Sequence, residues 1–329
     1  MSGIGGIHHV TAIASDPQRN LDFYAGVLGL RLVKRTVNFD DPGTYHFYFG
    51  DQAGTPGSIL TFFPWPGAHR GRQGPGQVAV TSLAIASGAV GFWIERLLHY
   101  GVSYEGPAKH EIGTPERVLS FRDPDGLLLE LVASKAAEGR PAWGGAPGIP
   151  MEHAIHGFHS VTLWVERGDP TVQVLADLLR FRLTGEDGSL RRLAVGDEGP
   201  GAMVQVRSTG GFVQGVTGAG TVHHVAWRVP DDGTQLGLRA SIESAGLDPT
   251  PVIDRQYFHS VYFREPGGVL YEIATHSPGF AIDEPLDRLG ERLMLPPQYE
   301  PQRTEIEAAL PPVYLPRPAS ENTFLPAGS

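Results

Sequence analysis

The sequence predicts an α+β protein made of four copies of one module, each a strand, a helix and about three further strands, followed by a C-terminal tail. Three observations predict it. Four segments open on similar short strands, a helical apolar pattern follows each, and each segment closes on a glycine-containing turn that leads into a last strand.

The opening strands read Ile7-His8-His9-Val10-Thr11-Ala12-Ile13, Val80-Thr81-Ser82-Leu83-Ala84-Ile85, Phe158-His159-Ser160-Val161-Thr162-Leu163 and Val222-His223-His224-Val225-Ala226-Trp227. Helical spacing follows over Asn20 to Leu28, Gly91 to Leu98, Val172 to Leu179 and Leu236 to Ala245. Three of these helices stop at a glycine (Gly29, Gly101, Gly246), the residue that takes the left-handed C-terminal position without steric cost. The closing turns are Pro56-Gly57, Asp123-Pro124-Asp125-Gly126, Gly199-Pro200-Gly201 and Glu265-Pro266-Gly267-Gly268. Residues 139–153, rich in Pro and Gly, read as a linker between a first domain, 1–138, and a second, 154–280. Residues 281–329 form a Pro-rich tail with one short helix predicted from Gln302 to Ala309.

Composition limits the chemistry. The 329 residues, 41% apolar and 19% charged, suffice for two well-cored domains. A net charge of −10 argues against nucleic acid and anionic membranes as partners. There is no cysteine, which excludes disulfides, thiolate metal sites, Fe–S clusters and a cysteine nucleophile. The first six residues lack a basic and an apolar region, and no apolar run reaches membrane-spanning length, so the expected location is cytoplasmic.

Register within the modules selects candidate ligands. The key position of the first strand holds His9, Ser82, Ser160 and His224. Four residues past each turn glycine stand Thr61, Glu130, Gln205 and Glu272. Modules one and four together therefore offer two imidazoles and a carboxylate, His9, His224 and Glu272, a facial triad of the kind non-haem iron oxygenases use, with Thr61 too weak a donor to fill the next position. Glu272 lies in an otherwise apolar strand, where an unpaired carboxylate is costly to bury. Modules two and three offer Ser82, Glu130, Ser160 and Gln205, a set that holds a metal poorly; Glu130 is expected to be structural. One residue before the key position stand His8 and His223. Strand alternation points them to the opposite face, so any role beside the ligands requires a bulge. Similarly, a simple turn pairs Arg264 with Val269 and turns Tyr262 away from Glu272, and a bulge would reverse this.

The four-module plan over roughly residues 5 to 280 resembles the vicinal-oxygen-chelate superfamily, which includes glyoxalase I, bleomycin-resistance proteins and extradiol dioxygenases. Within it the sequence looks most like the hydroquinone ring-cleaving dioxygenases, the chlorohydroquinone 1,2-dioxygenase branch. The segments that carry the match are Ile7 to Thr11, Gly220 to Ala226, Asp254 to Phe258, Ser260 to Phe263 and Tyr271 to Thr275. The resemblance implies curved mixed sheets in two domains with helices outside. It makes His9, His224 and Glu272 the ligands of Fe(II), with Mn(II) as the alternative. It makes His8, Thr11, His223, Arg255 and Tyr262 the substrate-handling set, although Arg255 also reads as an ordinary surface arginine. The implied partners are a small aromatic diol, with or without ring substituents, and O2; homo-oligomerisation stays open. Three rivals follow from the same plan: a catechol extradiol dioxygenase using His159 beside His224 and Glu272, a glyoxalase-like isomerase or lyase, and a non-catalytic binder of aromatics.

Overall fold

The computed structural model describes residues 3–110, 112, 115–196 and 199–316. Each module contributes four strands. Module one supplies β1 (Ile7–Ala14), β2 (Arg31–Asn38), β3 (Asp41–Gly50) and β4 (Ile59–Pro64). Module two supplies β5 (Gln77–Ile85), β6 (Tyr104–Lys109), β7 (Arg117–Arg122) and β8 (Leu128–Ala133). Module three supplies β9 (Ile155–Val165), β10 (Arg182–Asp187), β11 (Leu190–Ala194) and β12 (Met203–Ser208), and module four β13 (Val222–Val229), β14 (Ile253–Asp254), β15 (Phe258–Arg264) and β16 (Leu270–Pro278).

The helices fall where the apolar spacing puts them. They are α1 (Pro17–Leu21), α2 (Val90–His99), α3 (Gly168–Gln173) and α4 (Asp232–Ser244). The first and third continue as wider π-helical turns, Asp22–Val27 and Val174–Leu178. Gly29, Gly101 and Gly246 take positive φ at the three glycine stops, and in module three Arg180 takes that conformation at φ 63°.

The strands form two eight-stranded sheets. One runs β14-β15-β16-β13-β1-β4-β3-β2 and joins module four to module one; the other runs β10-β11-β12-β9-β5-β8-β7-β6 and joins module three to module two. Within each module the first and last strands are parallel, while the modules meet through antiparallel pairs, β1 with β13 and β5 with β9. Each sheet thus takes one half from before residues 139–153 and one from after. The outermost modules of the chain share one sheet, so His9 on β1 and His224 on β13 are neighbours across a strand pair.

The two sheets are stitched together by reciprocal backbone contacts. The amide of Ile7 donates to the Gly201 carbonyl and that of Phe158 to the Gly57 carbonyl, both at 2.8 Å. Gly6 and Gly157, each just before the strand residue that donates, have φ of 117° and 82°. A Cβ there would lie 2.4 and 2.5 Å from the Gly201 and Gly57 carbonyl oxygens, so both the conformation and the contact require glycine.

The tail covers an edge. Leu293 bridges Arg35 on β2, the last strand of its sheet, which hides part of an exposed edge. The buried Lys34 ammonium binds Asp283 Oδ1 at 2.6 Å and Glu284 Oε2 at 2.5 Å. The helix α5 (Arg303–Ala309) packs on β3 at the position expected from sequence. Residues 317–329 of the tail lie outside the described residues. Among the described residues no helix is long and apolar enough to cross a membrane.

Candidate metal centre

Three side chains from three strands converge at the centre of the first sheet. His9 Nε2 lies 3.2 Å from His224 Nε2 and 3.2 Å from Glu272 Oε2, and His224 Nε2 lies 2.9 Å from the same oxygen. All three residues are buried, Glu272 completely. The module register produces this: β1 pairs with β13, and β13 runs parallel to β16 with Ala226 opposite Glu272.

The two preceding histidines hold the imidazoles of His9 and His224. His8 Nε2 lies 3.0 Å from the Thr275 carbonyl, which can only accept, so this nitrogen carries the proton. Burial keeps the pKa of His8 well below its ordinary value, so the ring is neutral and its Nδ1 is bare. That Nδ1 lies 2.9 Å from His9 Nδ1 and accepts its proton, which leaves His9 Nε2 as a lone pair aimed at the centre. The same Nδ1–Nδ1 contact, 2.8 Å, links His223 to His224. Burial lowers His223 to about 3 and His224 below its ordinary value, so both rings are neutral. The tautomer that donates from His224 Nδ1 to His223 leaves His224 Nε2 bare as well.

Strand alternation alone would send His8 and His223 outward, and bulges bring them back. Ile7 pairs with Trp227 but His9 with Ala226, which makes His8 an extra residue; Thr11 pairs with His224 but Ala12 with Val222, which makes His223 one too. Tyr262 is brought in by register. Arg264 pairs with Leu270 rather than Val269, and this one-residue offset puts Tyr262 directly opposite Glu272. The offset is fixed by the buried Glu265 carboxylate, which accepts from the amides of Gly267 and Val269 and from the Thr171 hydroxyl.

Burial by itself would raise the pKa of Glu272; positive charge at His9 and His224, or a cation held between them, keeps it well below the usual carboxylate range. Ser260 donates to its Oε1 at 2.5 Å. Its Oε2 is buried and receives no hydrogen bond of acceptable geometry among the described residues. An ionised oxygen and imidazole lone pairs therefore face one another without a proton between them, an arrangement that repels itself unless a cation sits among them. The donor set fits a first-row divalent ion: three N/O ligands on one side and room on the other.

That room is a cavity of about 230 Å3 bordered by His9, His224, Phe63, Trp65, Phe258 and Tyr262. It is smaller than the ~300–1,000 Å3 of drug-sized pockets and suits a single-ring molecule. Arg255 also borders it, with its guanidinium 5.6 Å from the Tyr262 ring centre and 3.2 Å from Asp40 Oδ2. Burial works against the Arg255 charge, but Tyr262, Asp40 and Glu272 more than offset it and keep the group cationic. Burial and the Glu272 charge push the Tyr262 hydroxyl above its usual pKa, so it remains a neutral donor.

One residue of the site, His46, is not singled out by the sequence. Thr61, the module-one counterpart of Glu272, is fully buried and links Thr11 Oγ1 at 2.9 Å to His46 Nε2 at 2.8 Å. His46 lines the cavity, and burial holds its pKa well below the ordinary value. Its place on β3, two residues before Tyr48 opposite Thr61, follows from a strand pairing that no local sequence pattern carries. In the other sheet, Ser82 donates to Glu130 Oε2 at 2.6 Å. His159 lies in that sheet beside Glu116, not beside His224 and Glu272 as the catechol-type rival requires.

Comparison with known proteins agrees with this architecture. Residues 6–131 match the model of the Glyoxalase/Bleomycin resistance protein/Dioxygenase superfamily. The chain is 49% identical over 308 residues to the Bacillus subtilis protein named "Putative ring-cleaving dioxygenase MhqO", covering 93% of this chain and 96% of that one. It is 33% identical over 311 residues to the chlorohydroquinone/hydroquinone 1,2-dioxygenase of Sphingobium indicum, covering 92% and 95%. A Bacillus subtilis crystal structure described as a "putative dioxygenase" superposes with a TM-score of 0.90 at 47% identity, over 96% of this chain and 99% of that one. Glyoxalase I from Zea mays shares the fold at a TM-score of 0.61 and 15% identity, over 83% of this chain and 92% of that one. The chain belongs to the glyoxalase/bleomycin resistance/dioxygenase superfamily. Within that superfamily its full-length relatives include proteins named as ring-cleaving dioxygenases.

Proposed function

We propose that this protein is an Fe(II)-dependent dioxygenase that opens the ring of hydroquinone-type diols. The observation that carries the reading is the convergence of His9, His224 and Glu272, with Glu272 Oε2 facing only the two imidazoles among the described residues, beside a one-ring cavity lined by the Arg255 guanidinium and the neutral Tyr262 hydroxyl. When bound, the metal supplies a Lewis acid and an electron path between a phenolate and dioxygen; Mn(II) would bind the same donors.

The chain's own groups do the rest. Phe258, Phe63 and Trp65 offer apolar faces that hold an aromatic ring and exclude water. Arg255 stabilises negative charge as the diol loses its proton, and Tyr262 donates a hydrogen bond to oxygen anions formed beside it. His8 and His223 fix the ligand rings and keep their Nε2 atoms unprotonated. The hydroxyls of Thr11 and Thr61 and the neutral His46 ring form a hydrogen-bonded chain from the cavity wall, able to take and return a proton.

The test is oxygen uptake with hydroquinone and substituted hydroquinones after anaerobic Fe(II) loading. Stoichiometric O2 consumption with a ring-opened product supports the reading. Full metal occupancy without O2 uptake on any phenolic substrate sinks it, and turnover without oxygen would point to an isomerase or lyase instead.

A further inference from the structure

The second sheet carries its own cluster of donors, which the function proposed above does not use. An imidazole nitrogen of His110, one of His159 and a carboxylate oxygen of Glu116 lie within 4.8 Å of one another. His110 immediately follows β6, Glu116 immediately precedes β7, and His159 sits on β9. Ser82 pairs with Ser160 but Leu83 with Phe158, so His159 is the extra residue of a β-bulge, as His223 is in the first sheet. Here, however, Ser160 stands where His224 stands, and the His159 ring turns to its own partners. Its Nδ1 meets Ser160 Oγ at 3.0 Å and its Nε2 meets Glu116 Oε2 at 3.1 Å.

A hydrogen bond between His159 and Glu116 accounts for those two residues but not for His110. That ring is buried edge-on to His159 with centres 4.9 Å apart, and its Nδ1 has no hydrogen-bond partner among the described residues. Burial, helped by His159, lowers its pKa to about 4, so it is a neutral donor at ordinary pH. A second carboxylate stands close by, with Glu130 Oε2 4.0 Å from His110 Nε2. Two imidazoles and two carboxylates offer a +2 ion four N/O donors and charge balance, and the lack of any thiolate selects a borderline or hard first-row cation.

We propose that His110, Glu116 and His159 form a second divalent transition-metal site, with Glu130 as the outlying fourth donor. The site acts as a clamp: it ties the segment between β6 and β7 of module two to the bulge of β9 in module three. Ile112, which lies between His110 and Glu116, is also tied to module three, where Arg192 Nη1 donates to its carbonyl at 2.8 Å. An ion held only by the folded chain stabilises it by RT ln(1 + [M]/Kd), where [M] is the free ion concentration.

Zinc is the probe. The full chain is stripped with chelator, dialysed against micromolar Zn2+ and its metal content measured per chain. Wild type is expected to hold two ions, Glu116→Gln and His159→Asn one each, and the His9→Ala/Glu272→Gln double variant one. Adding Glu116→Gln and His159→Asn to that double variant should remove the last ion, and the zinc-induced rise in Tm with it. Zinc content unchanged by Glu116→Gln and His159→Asn overturns the proposal, as does a folded His9→Ala/Glu272→Gln variant that binds none. If that variant does not fold, the Glu116→Gln count in the otherwise intact chain decides alone. A single ion lost only through Glu116 and His159 would leave this site standing and remove the first one.

Discussion

The two sheets are near-copies in topology and differ in what they gather at the strand pair where their modules meet. In the first, β1 and β13 present His9 and His224 beside Glu272, with no hydroxyl between the imidazoles and the carboxylate. In the second, β5 and β9 present Ser82 and Ser160, and Ser82 satisfies Glu130 directly. A buried carboxylate must find a proton donor or a cation. Ser260 meets that demand at one oxygen of Glu272 and leaves Oε2 to the two imidazoles, while Ser82 serves the half-buried Glu130, so the same scaffold yields a candidate metal centre with an adjoining cavity in one half and a serine-bound carboxylate beside the proposed clamp in the other.

The largest expected effect breaks this asymmetry. Glu272→Gln should lower kcat/KM for ring opening by roughly 10^3-fold or more, because it removes a ligand of a cation that supplies several kcal/mol of transition-state stabilisation. Glu130→Gln should leave the rate close to wild type. Steady-state oxygen uptake on both variants reads the contrast.

A pH experiment compares the modules' closing turns. Asp123 in module two accepts from the amides of Asp125 and Leu127 and from the Tyr24 hydroxyl, much as Glu265 does in module four. Burial raises both carboxyls, Asp123 to about 6. A carboxyl whose folded pKa lies above its unfolded value favours the folded state below the unfolded pKa, and that contribution is lost as pH rises through the folded value. For Asp123 the window runs from about pH 4 to 6, and the loss is on the order of 3 kcal/mol. Asp123→Asn should remove that decline, as read by urea unfolding at pH 4 and pH 7.

Smaller effects test the bulges and the seam. His8→Ala or His223→Ala should weaken metal binding at the first centre by about 10–100-fold through loss of ring orientation, whereas His159→Ala should leave that centre's affinity unchanged; titration with Fe(II) or Mn(II) checks both. Gly157→Ala should cost about 2 kcal/mol, from positive φ and the close Gly57 carbonyl. Gly139→Ala, where an added Cβ meets nothing within 4 Å, should be near neutral, and thermal melts of both variants read the difference.

What the sequence determined by itself was periodic. Repeating strand, helix and turn signals located the modules, aligning the opening strands placed His9 and His224 in equivalent positions, and counting from the turn glycine selected Glu272, because strand alternation and turn chemistry act within a few residues of one another. Only the tertiary structure decided features that depend on a partner strand. The inward turn of His8 and His223 comes from bulges set by the pairing of β1 with β13, and the placement of Tyr262 comes from a register fixed by the buried Glu265. His46 and the His110–Glu116–His159 cluster are joined by contacts between segments far apart in the chain, and no local pattern encodes a distance between strands.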